Sequence, residues 1–261
     1  VFMLTENQDS RAFPACPYIP EAGISHMVVS GELPVSMMDE LVKRGIGCIR
    51  TRGLKSLPGP LSYHTDMQLL HVAQDTIVCA PNLDEEFKTN LRGRGLTVIS
   101  GLSEPSAPYP GDIPYNTAII GEFALLNVSH TDPVVIEWLR KTGRKLIHIN
   151  QGYAKCSVAI VSHEAVITSD RGIQRALNDV KLDVLLIDPT TKILLPGYNY
   201  GFIGGACGLI SESEMVFSGN FHCLRQAEVI CEFLRKHGIK AVSLGDGPVL
   251  DTGGFIPLGT V

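Results

Sequence analysis

Two stretches of the sequence hold side chains able to do chemistry: "YHTDMQ", residues 63–68, and "NQGYAKCS", residues 150–157. Read as a strand, the first puts alternate residues on one face. His64, Asp66 and Gln68 then lie together, opposite Tyr63, Thr65 and Met67. An imidazole beside a carboxylate suits proton transfer and the grip of a cation. Asp and Gln form strands poorly and are costly to bury unpaired, so an exposed edge or a polar network is the other reading of that face. In the second stretch Cys156 is the candidate nucleophile. A reactive thiol needs its pKa depressed by a cation, an imidazole or a helix N-terminus. Lys155 is its neighbour, but adjacent strand residues point to opposite faces. Activation therefore requires His64 to reach the thiol from elsewhere in the fold. The alternative is a small buried hydrophobe, a common state of free cysteine.

Amides recur at similar places. Asn116 in "YNTAII", Asn150 and Gln151 in "NQGYAKCS" and Asn199 in "GYNYGFIGG" each stand at the start of an apolar strand. Converging on one site, they would join Asp66, Gln68, Lys155 and Asp251 as ligand-binding candidates. Turn formation is the other use of Asn in such places. No histidine spacing matches a metal motif, so no metal is expected. "GFIGGACG" lacks the G-x-G-x-x-G and GK[ST] patterns and leads into strand residues, so no phosphate loop or cofactor is expected.

The elements that carry these residues form a repeat. One shape, a helical segment ending near a turn and followed by a β-branched strand, occurs five times: "SMMDELVKRGIGCIRT", "LDEEFKTNLRGRGLTVIS", "DPVVIEWLRKTGRKLIHI", "DRGIQRALNDVKLDVLLI" and "LRQAEVICEFLRKHGIKAVSL". Gly45, Gly95, Gly143 and Gly238 end four of the helices, and Leu182 holds the matching place in the fourth unit. Caps are expected at Asn82, ahead of Asp84, Glu85 and Glu86, at Asp132 before Pro133, and from Ser36 with Asp39. Strand pairs precede the last four helices, so each unit reads strand, strand, helix, strand. The first unit shows only "HMVVSG", and the terminal "VLDTGGFIPLG" can supply its missing strand and close a ring. Units this short cannot bury their own faces and must stack on their neighbours. The chain is expected to be one α/β domain, a five-fold pseudo-symmetric propeller. Its repeats cover about 23–57, 58–103, 113–150, 151–190 and 191–246, with 1–22 as an N-terminal extension and 247–261 as the closing strand.

Composition agrees with a packed domain. Of 261 residues, 44% are apolar and 19% charged, enough for a large core and against disorder. With 22 Lys and Arg against 27 Asp and Glu, a formal charge of −5, a nucleic-acid surface is not expected. No apolar run approaches the roughly 18 residues of a membrane span. The first twenty residues lack a secretory pattern. The seven cysteines include no CxxC, which fits reduced thiols in a cytoplasm. Cys48, Cys79, Cys223, Cys231 and Cys207 read as packed in the interior. The expected partner is a small molecule.

Five strand–strand–helix–strand units with polar residues at the inner strand starts resemble the pentein fold of guanidine-modifying enzymes, which include arginine and agmatine deiminases, dimethylarginine hydrolases and amidinotransferases. "YHTDMQ", "NQGYAKCS", "ITSDRGIQRAL", "DVLLI", "NYGFIGGACGL" and "LDTGGFIPL", spanning roughly residues 25–258, resemble an uncharacterised bacterial family assigned to that fold. The resemblance implies a cysteine that attacks a guanidinium carbon, a histidine that shuttles protons and carboxylates that hold the cation. It casts His64 as acid/base and Asp66 as a guanidinium ligand, although their strand lies in the second unit rather than late in the chain. It also implies a nucleophilic cysteine just after a terminal glycine-rich stretch. Here Asp251, Gly253 and Gly254 are followed by Phe255, Ile256, Pro257 and Leu258, and no cysteine follows Cys231. Either Cys156 serves in another unit, or the thiol chemistry is gone and the protein is a binding module, as the ribosome anti-association factor of this architecture is.

Overall fold

Each long helix places two apolar residues four apart on its inner face, the spacing that stacks side chains along a helix. The pairs are Met37 and Leu41 in α1 (Val35–Lys43), Phe87 and Leu91 in α3 (Glu85–Gly93), and Val135 and Leu139 in α4 (Pro133–Lys141). Ile173 and Leu177 serve α5 (Arg171–Asp179), and Ile230 and Leu234 serve α6 (Ala227–Lys236). The computed structural model describes residues 13–189 and 191–261. All five helices end the same way in it. The N–H of Ile46, Leu96, Arg144, Leu182 and Ile239 returns to the carbonyl of that second inner leucine, with the preceding residue in the left-handed region. This is the Schellman ending, which favours glycine. Four units have glycine there, at φ +74° to +91°. In the fourth the residue is Lys181, at φ +65°, one place before the Leu182 expected from the sequence.

Among the described residues, fifteen strands form five three-stranded sheets. The second unit runs β3 (Leu69–Ala73), β4 (Thr76–Cys79), α3 and β5 (Thr97–Ser100). β4 lies centrally, antiparallel to β3 and parallel to β5. The third unit repeats this with β6 (Ala118–Ile120), β7 (Phe123–Leu126) and β8 (Lys145–His148), and the fourth with β9 (Val158–Ile160), β10 (Ala165–Thr168) and β11 (Asp183–Leu186). The fifth has β12 (Cys207–Leu209), β13 (Glu214–Phe217) and β14 (Lys240–Ser243). In the first unit β1 (Ile24–Val29) is central, parallel to β2 (Gly47–Arg50) and antiparallel to β15 (Ile256–Thr260), so the C-terminal strand closes the ring as expected. First strands of neighbouring units approach one another, β6 with β9, β9 with β12 and β12 with β15. They surround the axis. The middle strands are nearly all buried along their length, as strands covered on both faces must be. The seam between the fifth and first units has its own apolar cluster, including Met27, Leu41, Val216, Leu244 and Phe255.

Some local expectations shift. Asp84, not Asn82, caps α3 and accepts from Phe87 N at 2.9 Å. Asp132 caps α4 as expected, accepting from Val134 N at 2.8 Å. α1 follows Pro34 with no side-chain cap, so the Ser36 box does not form. Of the N-terminal extension, residues 1–12 lie outside the described residues, but Cys16, Tyr18 and Ile19 are buried in the core rather than appended to it. All seven cysteines are free thiols; Cys223 is exposed, contrary to its reading as core, because it lies on a short 3-10 turn. Among the described residues no helix is long and apolar enough to cross a membrane.

Lys181 is exposed and strained where its four counterparts are glycine. Left-handed backbone costs a non-glycine residue roughly 1–2 kcal/mol. Lys181→Gly is expected to raise stability by about 0.5–1 kcal/mol, net of glycine's greater freedom in the unfolded chain. Chemical denaturation tests this; an unchanged or lowered midpoint contradicts it.

Candidate active site

The site is built from the residues just before each first strand. Two places ahead of β3, β6, β9, β12 and β15 stand Met67, Asn116, Cys156, Gly205 and Gly254. Three places ahead stand Asp66, Tyr115, Lys155, Gly204 and Gly253. The five units thus deliver different chemistry to equivalent points around one axis.

"YHTDMQ" is not a strand. His64 is extended, Thr65–Gln68 form one helical turn (α2), and β3 starts only at Leu69. A helix turns about 100° per residue, so 64, 66 and 68 do not share a face. His64 and Asp66 still meet Cys156, since one ligating atom from each lies within 4.8 Å of the other two. Gln68 turns away and its Nε2 donates to the carbonyls of Arg52 and Ser62, both at 2.7 Å. It braces the preceding loop.

Cys156 also lies on a turn, and the alternation expected for a strand does not govern it or Lys155. Its thiol donates to Asp66 Oδ2 at 2.9 Å and accepts from Asn116 Nδ2 at 3.1 Å. Asn116 Oδ1 accepts from Lys155 N at 2.7 Å and Cys156 N at 3.3 Å, which fixes the turn. Lys155 Nζ donates to Gly204 O at 2.9 Å and stands 5.6 Å from the Tyr18 ring centre. It is buried and does not line the pocket. Asp251 accepts from Phe202 N at 2.8 Å and Gly253 N at 3.1 Å, and lies 3.9 Å from His64 Nδ1.

Above this base opens a pocket of about 250 Å³ in which His64, Cys156, Asp251 and Asn199 take part. Asp66 and Asn116 lie directly beneath the thiol. Asn150 and Gln151 are not there. Asn150 is exposed, and Gln151 accepts from Tyr153 N and reaches Asp170 Oδ2 at 3.4 Å, beside the start of α5. They follow β8, the outer strand of their unit, so they end at the periphery. What the sequence reading missed is the pocket wall, formed by Met67, Tyr153, Leu195, Tyr198, Tyr200 and Phe202. The density of aromatic residues in "GYNYGF" was the available signal.

The electrostatics follow from burial. Burial, then the Asp66 and Asp251 carboxylates, push the Cys156 thiol well above its ordinary pKa. Burial lifts Asp66 from 3.8 to about 6, against the pull of His64 and Lys155. His64 Nδ1 and Asp66 Oδ1 have no hydrogen-bond partner among the described residues. Imidazole, carboxylate and thiolate are all zinc ligand types, and the fold gathers here residues 64, 66 and 156, which stand too far apart in the sequence to form a spacing motif.

Residues 28–256 match DUF6873, a family of unknown function. The chain belongs to this family. No curated protein matches it in sequence. Solved structures share its fold at low identity. SxtG, an amidinotransferase of the saxitoxin biosynthetic pathway from Microseira wollei, is 12% identical with a TM-score of 0.54, covering 92% of this chain and 97% of its own. The inosamine-phosphate amidinotransferase of Streptomyces griseus is 11% identical with a TM-score of 0.59, over 94% and 97%. The DDAH of Pseudomonas aeruginosa, complexed with citrulline, is 10% identical with a TM-score of 0.53, over 87% and 96%. The fold is therefore the five-fold pentein architecture.

The raised pKa of Asp66 has a definite sign for stability. Between about pH 3.8 and 6 the folded state holds a proton that the unfolded chain releases. The ionised carboxylate therefore costs stability above about pH 6, and the cost disappears below the unfolded value. Asp66→Asn is expected to stabilise the protein by up to about 3 kcal/mol at pH 8, at about 1.4 kcal/mol per pKa unit. The gain should shrink toward pH 4. Denaturation of both proteins across this range checks it; a variant less stable at pH 8 contradicts it.

Proposed function

We propose that the pocket binds a small guanidino or amidino compound, with Cys156 placed to attack its central carbon and break a C–N bond. The observation that carries this reading is the pair of buried atoms without a hydrogen-bond partner among the described residues, His64 Nδ1 and Asp66 Oδ1, beside the Cys156 thiol. A donor-rich planar cation would satisfy the carboxylate, since guanidinium offers paired N–H groups that match it. Charge points the same way: two carboxylates, Asp66 and Asp251, face one ammonium, Lys155. The amidinotransferases and the DDAH that share the fold carry names of the same chemistry.

At rest the thiol is protonated and spends its proton on Asp66. An arriving guanidinium takes over that carboxylate and sets positive charge beside sulfur, which lowers the thiol pKa. The thiol proton passes to His64, and sulfur bonds to the central carbon while a C–N π pair moves to nitrogen. Collapse of that adduct expels an amine, which leaves with the His64 proton. Water then cleaves the S–C bond in a hydrolase; an amine does so in a transferase. One specific feature favours the second reading, a binding module without turnover. The terminal unit, where the resemblance implies the nucleophile, brings Gly254 to the axis instead of a thiol.

Calorimetric titration with methylguanidine tests the seat. Guanidinium stays charged throughout, so affinity follows Asp66 and is expected to fall about tenfold per pH unit below about pH 6. Asp66→Asn should weaken binding at pH 8 at least tenfold. Unchanged affinity in the variant contradicts the placement. A covalent adduct on Cys156 after substrate turnover, seen by mass spectrometry, separates the enzyme from the module.

A further inference from the structure

The wall above the polar base has its own chemistry. Three of its rings follow one another, Tyr153 to Phe202 and Phe202 to Tyr200, with centroids 6.0 and 5.9 Å apart, and Tyr109, outside the lining, packs on Tyr153 at 5.6 Å. The run is held at two points. Tyr153 OH donates to Asp112 Oδ2 at 2.7 Å, and Phe202 N donates to Asp251 Oδ2 at 2.8 Å. The second bond ties the wall to a carboxylate of the base. Toward solvent, Tyr109, Tyr198 and Tyr200 are 49%, 47% and 46% exposed. Clustered exposed aromatics of this kind mark a surface built for contact.

The charges of the lining are as telling. Among the described residues that line the pocket there is no lysine or arginine. The axial ammonium, Lys155, is engaged with Gly204 O and stands outside the lining. A carboxylate carried into this space would lose water without gaining a lysine or arginine partner, and would face Asp251. The pocket, about 250 Å³, is at the small end for ligand sites, so there is room for a head group and one compact tail.

We infer that the compound taken by this pocket carries its cationic head on an aromatic or similarly apolar tail that has no carboxylate. This rests on the guanidinium seat proposed above and names the substrate class for it: arylalkyl guanidines or amidines rather than amino acids such as arginine. The head pairs with the base, and the tail stacks on the wall, in which Tyr153 and the Phe202 backbone are held by the two bonds above.

Three probes separate head from tail in calorimetric titrations of the intact protein: methylguanidine, benzylguanidine and arginine. Benzylguanidine is expected to bind at least tenfold more tightly than methylguanidine and more than tenfold more tightly than arginine. Tyr198→Ala, an exposed change that leaves the core intact, should lower the ratio of benzylguanidine to methylguanidine affinity at least threefold. If methylguanidine binds but arginine equals or exceeds benzylguanidine, or the benzyl-to-methyl ratio is near one, the tail inference is overturned and the seat stands. If none of the three binds, the seat fails and the tail inference falls with it.

Discussion

A closed circuit of hydrogen bonds around the axis is the constraint on which the rest depends. Asp66 N donates to Gly253 O at 3.3 Å, joining the second unit to the first. Asn116 Nδ2 reaches Asp66 O at 3.5 Å, and Lys155 N donates to Asn116 Oδ1 at 2.7 Å. Gly205 N donates to Cys156 O at 3.1 Å, and Gly254 N returns to Gly205 O at 2.8 Å. Every unit takes part, and the participating residues are buried. A break anywhere leaves an unpaired buried group, at a cost of about 1–3 kcal/mol. The five sheets, the apolar seam between the last and first units and the closing strand all serve to bring these chain segments to one place.

The circuit divides the work among the units. Gly253 and Gly254 have φ +78° and +76°, and a Cβ on Gly253 would stand 2.5 Å from that of His64. Those points give close backbone approach and leave room for the histidine. The second, third and fourth units use the equivalent points for Asp66, Asn116 and Cys156. Asn116 links structure to chemistry, because its carbonyl oxygen holds the thiol's turn while its amide touches the sulfur. Lys155 offsets the buried carboxylates from outside the pocket. The same segments that close the ring therefore seat the thiol against Asp66 Oδ2, where burial and the carboxylates raise its pKa.

The repeat was legible because five helices obey one rule, an inner leucine, a left-handed turn four residues later and a strand two residues beyond that. The closing strand was legible because the first unit was one strand short. His64, Asp66 and Cys156 could be picked out as unusual residues at strand starts. Their geometry could not, since alternation was applied to "YHTDMQ" and "NQGYAKCS", which are a helical turn and a turn. That error placed Gln68 in the site; Lys155 does point away from the thiol, as read, but toward Gly204 O and outside the pocket it was expected to line. Asn150 and Gln151 were misplaced because they follow an outer strand, and the sequence does not mark which of two strand neighbours faces the axis. The aromatic wall was overlooked because apolar residues in a connector read as packing until the pocket they line is seen.

The central claim is that Cys156 rests as a neutral thiol bonded to Asp66 and ionises only beside a cation. The thiolate ultraviolet absorbance that differs between the wild type and Cys156→Ser, followed through pH with and without methylguanidine, tests it directly. The account predicts that in the free protein the Cys156 thiolate forms only at a pH above that at which an ordinary thiol ionises, in keeping with its raised pKa. It predicts a clear downward shift of the transition when the ligand is present. A thiolate already formed at neutral pH in the free protein, or a transition that ignores the ligand, would contradict it.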